Sequence, residues 1–338
     1  MCREGDISKP GTIRPMAVYT EVSDEALNAF LSEYDIGTAV ACKGIAEGVE
    51  NSNFALRTTT GDFILTLYEK RVEVAELPYF LGLMDHLAGQ GIVCPRPVAG
   101  RDGISLRRLQ GRAAALTNFL PGVSPRRVRL EQCGPLGGAL AALHVAGQSY
   151  AAMRRNALGP TGWTALLERS RAHPDADSLR PGLLDELQAA LDSVLAAWPA
   201  AGALPQGHIH ADLFPDNVFF LDGRLSGLID FYFAAFDLLA YDVAVCLNAW
   251  CFEADLSFNV TKGRALVGAY DAARRLSPEE RAALPVLCQG AALRFALTRL
   301  FDWLATPAGA FVTRKDPMEY VRRLRFHRAA TDAAAYGI

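Results

Sequence analysis

The chain has 338 residues, a formal net charge of −3, 51% hydrophobic and 21% charged residues, which describes a globular protein with ample core material and excludes a disordered or fibrous one. The length exceeds one typical domain and suits two lobes sharing a cleft. No block of five Lys or Arg exists, apolar runs fall far short of a membrane span and no secretory signal opens the chain, which argues against nucleic-acid binding, a membrane protein and export.

Residues 1–15 are polar with two prolines and two glycines; they read as a disordered leader or an over-called start, with Met16 the true beginning and folded structure from about Tyr19. Ser23 followed by Asp24 and Glu25 reads as a helix entry. Strands are expected at Thr38–Ile45, Asn53–Thr59 and Phe63–Glu69, with a loop at 46–52 whose Gly48 suits a phosphate-covering turn. Protein kinases carry a phosphate-binding lysine on the third strand; Thr66 stands there, leaving Arg57 and Lys70 as alternative cations. Val74–Gln90 reads as a helix, with Leu77, Leu81, Met84 and Leu87 at helical spacing, and Glu76, ahead of Glu73, as partner for such a cation. Strands are expected around Asp102-Gly103. The run Leu116–Gly122, including Asn118, reads as a hinge whose backbone would meet adenine. Beyond residue 123 the pattern is helical: 130–149, 161–172, 182–198, 237–251, 262–275, 278–289, 290–305 and 317–331, interrupted once. The expected organisation is thus a β-rich nucleotide-binding lobe over 16–120 and a helical lobe over 121–338 holding the catalytic loop and acceptor site.

The interruption carries the chemistry. Residues 206–231 contain His210-Ala211-Asp212, then Asn217, then Asp230. Apolar runs Val218–Leu221 and Leu225–Ile229 flank Asp222-Gly223, a hairpin signal that would return Asp230 to Asn217 and Asp212. Phosphoryl transfer uses such a set: one Asp orients the attacking hydroxyl and takes its proton, while an Asn and an Asp hold Mg²⁺ against ATP phosphates. Asp212 is therefore the expected base, and Asn217 and Asp230 the expected metal ligands. His210 reads as a brace for the loop and Asp242 as its scaffold. Seven cysteines at 2, 42, 94, 133, 246, 251 and 288, without a C-x-x-C pair, suggest neither a disulfide framework nor a zinc site; they fit a cytoplasmic location.

The H-x-D-x-x-x-x-N string with its following Asp resembles the aminoglycoside/choline kinase-like superfamily. Longer strings, GIAEGVENSNFAL (44–56), ILTLYEKR (64–71), FLPG (119–122), HADLFPDNVFF (210–220) and LSGLIDFYFA (225–234), resemble the bacterial homoserine kinases of that fold. The resemblance implies an α+β, bilobal protein-kinase-like fold with a small antiparallel β-rich N-lobe and a larger helical C-lobe. It also implies ATP-dependent phosphorylation of the hydroxyl of L-homoserine. A small zwitterion needs a cation for its carboxylate: Arg294 and Arg299 on an apolar helix are candidates, or else form an ion pair with Asp242 or Asp302. Asp216 faces either the ammonium or solvent, and Tyr232, Asn248 and Trp250 are candidates to line the acceptor pocket, aromatics at helical spacing being more often core. Rival readings are a same-fold kinase for an aminoglycoside, choline or methylthioribose, and a nucleotide-binding pseudokinase.

Overall fold

Apolar residues at every second position, Phe54 and Leu56 on one strand and Leu65 and Leu67 on the next, give a sheet one face for a core. The computed structural model describes residues 20–45, 51–69, 73–306 and 314–338; the expected leader, Gly48 and Lys70 lie outside them. Helix α1 (Asp24–Leu31) begins where the Ser23 hydroxyl accepts the Ala26 N–H at 3.2 Å. Strands β1 (Ala39–Gly44), β2 (Asn51–Thr58) and β3 (Asp62–Tyr68) lead to helix α2 (Leu77–Gly89), then β4 (Arg107–Leu109) and β5 (Arg112–Asn118). They form one antiparallel sheet in the order β1-β2-β3-β5-β4. Phe54, Leu56, Leu65 and Leu67 pack with Leu27, Phe30 and Leu31 of α1 in a small core. By the pleat, Asn53, Thr66 and Tyr68 lie on the opposite face, and Tyr68 joins the main core.

Two details differ from the sequence expectation. The helix expected from Val74 opens with a tight turn and becomes α-helical at Leu77, where Pro78 sits without an N–H to satisfy. No strands flank Asp102-Gly103; the hairpin turns at Gln110-Gly111, both with positive φ (52° and 74°).

Residues 119–123 cross to the second lobe. There lie α3 (Leu130–Gly147), α4 (Pro160–Arg171), α5 (Leu183–Ala197), β6 (Gln206–Ile209), β7 (Val218–Leu221), β8 (Arg224–Leu228), β9 (Ala235–Leu238), α6 (Leu239–Trp250), α7 (Val260–Ala273), α8 (Pro278–Ala305) and α9 (Met318–Ala329). The β7–β8 hairpin forms as its sequence demands, with Asp222 and Gly223 at φ 50° and 77°. A second pair, β6 with β9, was not foreseen: the first residues of the expected 237–251 helix end a strand instead. Helix α8 runs unbroken through Pro285 where two helices were expected; Leu284, Leu287, Ala291 and Ala292 are buried around it and offset the missing hydrogen bond. Trp163 and Trp198 meet edge to face at 5.0 Å and press on α8 at Gly290, where any Cβ would run into both indoles. No helix among the described residues is long and apolar enough to cross a membrane.

Candidate active site

The loop after β6 is built around a buried carboxylate. Asp242, in the first turn of α6, is wholly buried and accepts the N–H groups of His210 (2.7 Å) and Ala211 (2.9 Å). The His144 ring lies 3.2 Å from it. Burial pushes the Asp242 carboxyl up, but the His144 bond and the His210 N–H together hold it below its usual value. These bonds support Ala211 at φ 63°, a conformation costly for a residue with a Cβ.

His210 ties two strands of the site together. Its Nδ1 accepts the Asp212 N–H at 3.3 Å, so the proton sits on Nε2, which donates to the Ile229 carbonyl at 2.9 Å. Burial pushes its imidazole down to about 4, so the ring is neutral. Asn217 closes the set: its Nδ2 donates to the Asp212 carbonyl at 2.8 Å and to Asp212 Oδ2 at 3.2 Å, and its carbonyl accepts the Ile229 N–H at 2.9 Å. Asp230 follows directly, exposed to the cleft at φ 65°. The base-like carboxylate, the amide and the second acid are therefore neighbours, and Asn217 Oδ1 has no partner among the described residues. Among those residues no cluster of three His, Cys, Asp or Glu is arranged to hold a metal alone. An Asn–Asp pair fits Mg²⁺ when phosphate oxygens complete the shell.

The loop is also held from behind. Trp250 Nε1 donates to the Leu213 carbonyl at 2.7 Å; the residue is buried rather than pocket-lining. Arg294 Nη1 donates to the Ala211 carbonyl, and Nη2 lies 3.8 Å from Asp212 Oδ1. Its guanidinium rests 4.4 Å from the Phe295 ring centre.

Several other expectations are corrected. Arg294 is 1% exposed and clamps the loop after β6, so it presents no surface to a substrate carboxylate. Arg299 pairs with Glu319 of α9 at 2.7 Å and lies over Tyr320. Asn248 is buried, its amide donating to the Ala244 and Cys288 carbonyls; it satisfies a core rather than a pocket. The Tyr232 hydroxyl meets the Tyr68 hydroxyl at 2.8 Å, with its ring edge-on to Tyr68 and Phe80, so it joins the lobes. Arg57 pairs with Asp62 at 2.7 Å in solvent, at the turn end of β2, about 20 Å along the strand from Asn51 at ~3.3 Å per residue. Asn118 spends its side-chain oxygen and its N–H on Arg96 (2.5 and 3.1 Å), so neither is left for a base. Glu76 pairs with Arg154 at 2.7 Å, not with a strand cation, and Arg154 also donates to the Ala234 carbonyl. Arg154 went unnoticed because it sits in an irregular segment without periodicity. Asp216 is exposed in the turn beside Asn217.

Residues 41–276 match the phosphotransferase enzyme family. Homoserine kinase of Granulibacter bethesdensis is 69% identical over 323 residues, covering 96% of this chain and all of the relative. The chain belongs to the homoserine kinase family. The homoserine kinase of Gluconacetobacter diazotrophicus is 65% identical with the same coverage. Among solved structures, amicoumacin kinase hAmiN in complex with AMP-PNP, Ca²⁺ and Ami superposes with a TM-score of 0.64 at 15% identity, over 90% of this chain and 91% of that one. Choline kinase from Cryptosporidium parvum gives 0.63 at 12% identity, over 90% and 94%. This homoserine kinase family member therefore has the bilobal protein-kinase-like fold, its antiparallel sheet in the N-terminal lobe and its helices in the C-terminal lobe.

Proposed function

We propose that the chain transfers the γ-phosphoryl group of ATP to the hydroxyl of L-homoserine, giving O-phosphohomoserine and ADP in the route to threonine. The observation that carries this reading is the joined trio Asp212, Asn217 and Asp230 in a chain 69% identical to a homoserine kinase. The substrate oxygen forms its bond to the γ-phosphorus as the bond to ADP breaks, and its proton passes to the Asp212 carboxylate. Asn217, through Oδ1, and Asp230 would hold Mg²⁺, whose charge offsets that of the phosphates. His210, neutral and doubly bonded, keeps Asp212 and the exit of β8 in register. Asp216, exposed beside Asn217, would meet the substrate ammonium. The N-terminal lobe takes the nucleotide and the helical lobe the acceptor; the expected setting is the cytoplasm, where ATP is supplied.

Release of ADP with Mg-ATP and homoserine, kanamycin, choline or methylthioribose in turn tests the assignment. Turnover with homoserine alone is the expected result; stimulation by another acceptor and none by homoserine would refute it.

A further inference from the structure

Phosphates of a nucleotide need donors from the N-terminal lobe, and the strand position that supplies a lysine in protein kinases holds Thr66 here. Thr66 is 6% exposed, and its hydroxyl donates to Asn53 Oδ1 at 2.8 Å across the β2–β3 ladder, where the two residues pair directly. The same hydroxyl lies against the Tyr232 hydroxyl, which bonds in turn to Tyr68. All four groups lie on the face of the sheet away from α1, and Tyr232 stands two residues beyond Asp230. The row thus runs from β2 towards the acid proposed to hold the metal. Thr66 occupies the amide oxygen; Asn53 Nδ2 has no partner among the described residues, and Asn53 is only partly buried.

We propose that Asn53 is a phosphate-binding residue: its amide hydrogens, aimed by Thr66, donate to the nucleotide phosphates where a strand lysine would otherwise act. The assignment rests on the ATP-dependent reading of the site. A neutral donor to a charged oxygen makes a strong hydrogen bond without bringing a fixed positive charge under the sheet. The described cations nearby are committed elsewhere or lie at the margin. Arg112 pairs with Glu69 at 3.2 Å and Arg154 with Glu76, while Lys43 is exposed on β1 opposite Ala55.

The test compares ADP with adenosine by calorimetric titration. Asn53→Leu removes the donors without adding charge; Asn53→Asp keeps the acceptor for Thr66 and removes the donors. Both are expected to weaken ADP about ten- to a hundredfold, Asp more than Leu, with adenosine affinity and KM for the acceptor unchanged. Thr66→Val, which frees the amide to rotate, should give a smaller loss of the same kind. Equal weakening of ADP and adenosine would reduce Asn53 to a structural role and overturn the assignment. Wild-type ADP affinity in both Asn53 variants, with the loss appearing in Lys43→Ala or Lys70→Ala instead, would do the same. Neither titration involves the acceptor, so an error in the substrate leaves the readout intact.

Discussion

Ala211 is gripped from both sides of its peptide: Asp242 takes its N–H and Arg294 its carbonyl. Asp212, the next residue, inherits its aim from that grip. Asp212→Asn is expected to lower kcat by about 10²–10⁴, the usual contribution of a general base, while calorimetric ADP affinity stays near wild type; unchanged turnover would remove it from the mechanism. Arg294→Met leaves Asp242 intact but strips the cation from the loop. Removing one partner of a buried charged contact costs about 3–5 kcal/mol, so a fall in Tm together with a fall in kcat at nearly constant KM for homoserine is expected. A raised KM alone would restore Arg294 to the substrate site. Asn248→Ala serves as the contrast: its amide satisfies core carbonyls, and its loss should cost about 1–3 kcal/mol in urea unfolding with KM for homoserine unmoved.

At the scale of elements, the crossing between the lobes leaves no room for a side chain at one point. Gly122 sits at φ 141°, and a Cβ there would strike the Ser226 hydroxyl and lie 3.0 Å from Phe219 Cβ and 3.2 Å from the Phe220 carbonyl. Gly122→Ala should push the crossing segment off β7, so KM for ATP should rise before kcat falls; steady-state kinetics at saturating homoserine would show it. Strands β2, β3 and the β7–β8 hairpin were legible in the sequence because their signals are local: short apolar runs either side of Thr60-Gly61-Asp62 in the first two and an Asp-Gly turn in the third case. The trio Asp212, Asn217 and Asp230 followed from that hairpin. The β6–β9 pair was not legible, since four-residue strands joined across an intervening hairpin leave no period to read. Partner choice was the other blind spot. Arg294, Arg299 and Glu76 could each be recognised as charges needing a partner, yet Ala211, Glu319 and Arg154 are chosen by packing between distant segments. Asn248 and Tyr232 misled for the same reason: polar tips on apolar bodies suit a core or a lobe interface as well as a pocket.

Across the whole molecule, buried imidazoles make stability fall on acidification. Burial holds His210 down to about 4 and His327 to about 3, against about 6.5 in an unfolded chain. The unfolded state therefore takes up protons that the folded state refuses, and stability present above pH 6.5 is lost as pH falls through that window. Each group contributes a slope of up to about 1.4 kcal/mol per pH unit. Glu186 acts in the same direction lower down: the Arg325 bond is the largest influence holding it at about 2, so its contribution disappears between about 4.5 and that value. Urea unfolding at pH 7.5, 6.5 and 5 should give steadily lower midpoints with a near-constant m value; a rising midpoint would contradict the buried neutral rings.

The length of α8 ties remote parts of the lobe to one another. Gly290 and Arg294 lie one turn apart on the same rigid rod, the first wedged under two indoles and the second fastened to the loop that carries Asp212. A methyl group at 290 could be accommodated only by sliding or rolling that rod, and the guanidinium would travel with it. Inherited or engineered changes beneath the tryptophans should therefore surface as lost turnover, even though they touch neither nucleotide nor amino acid.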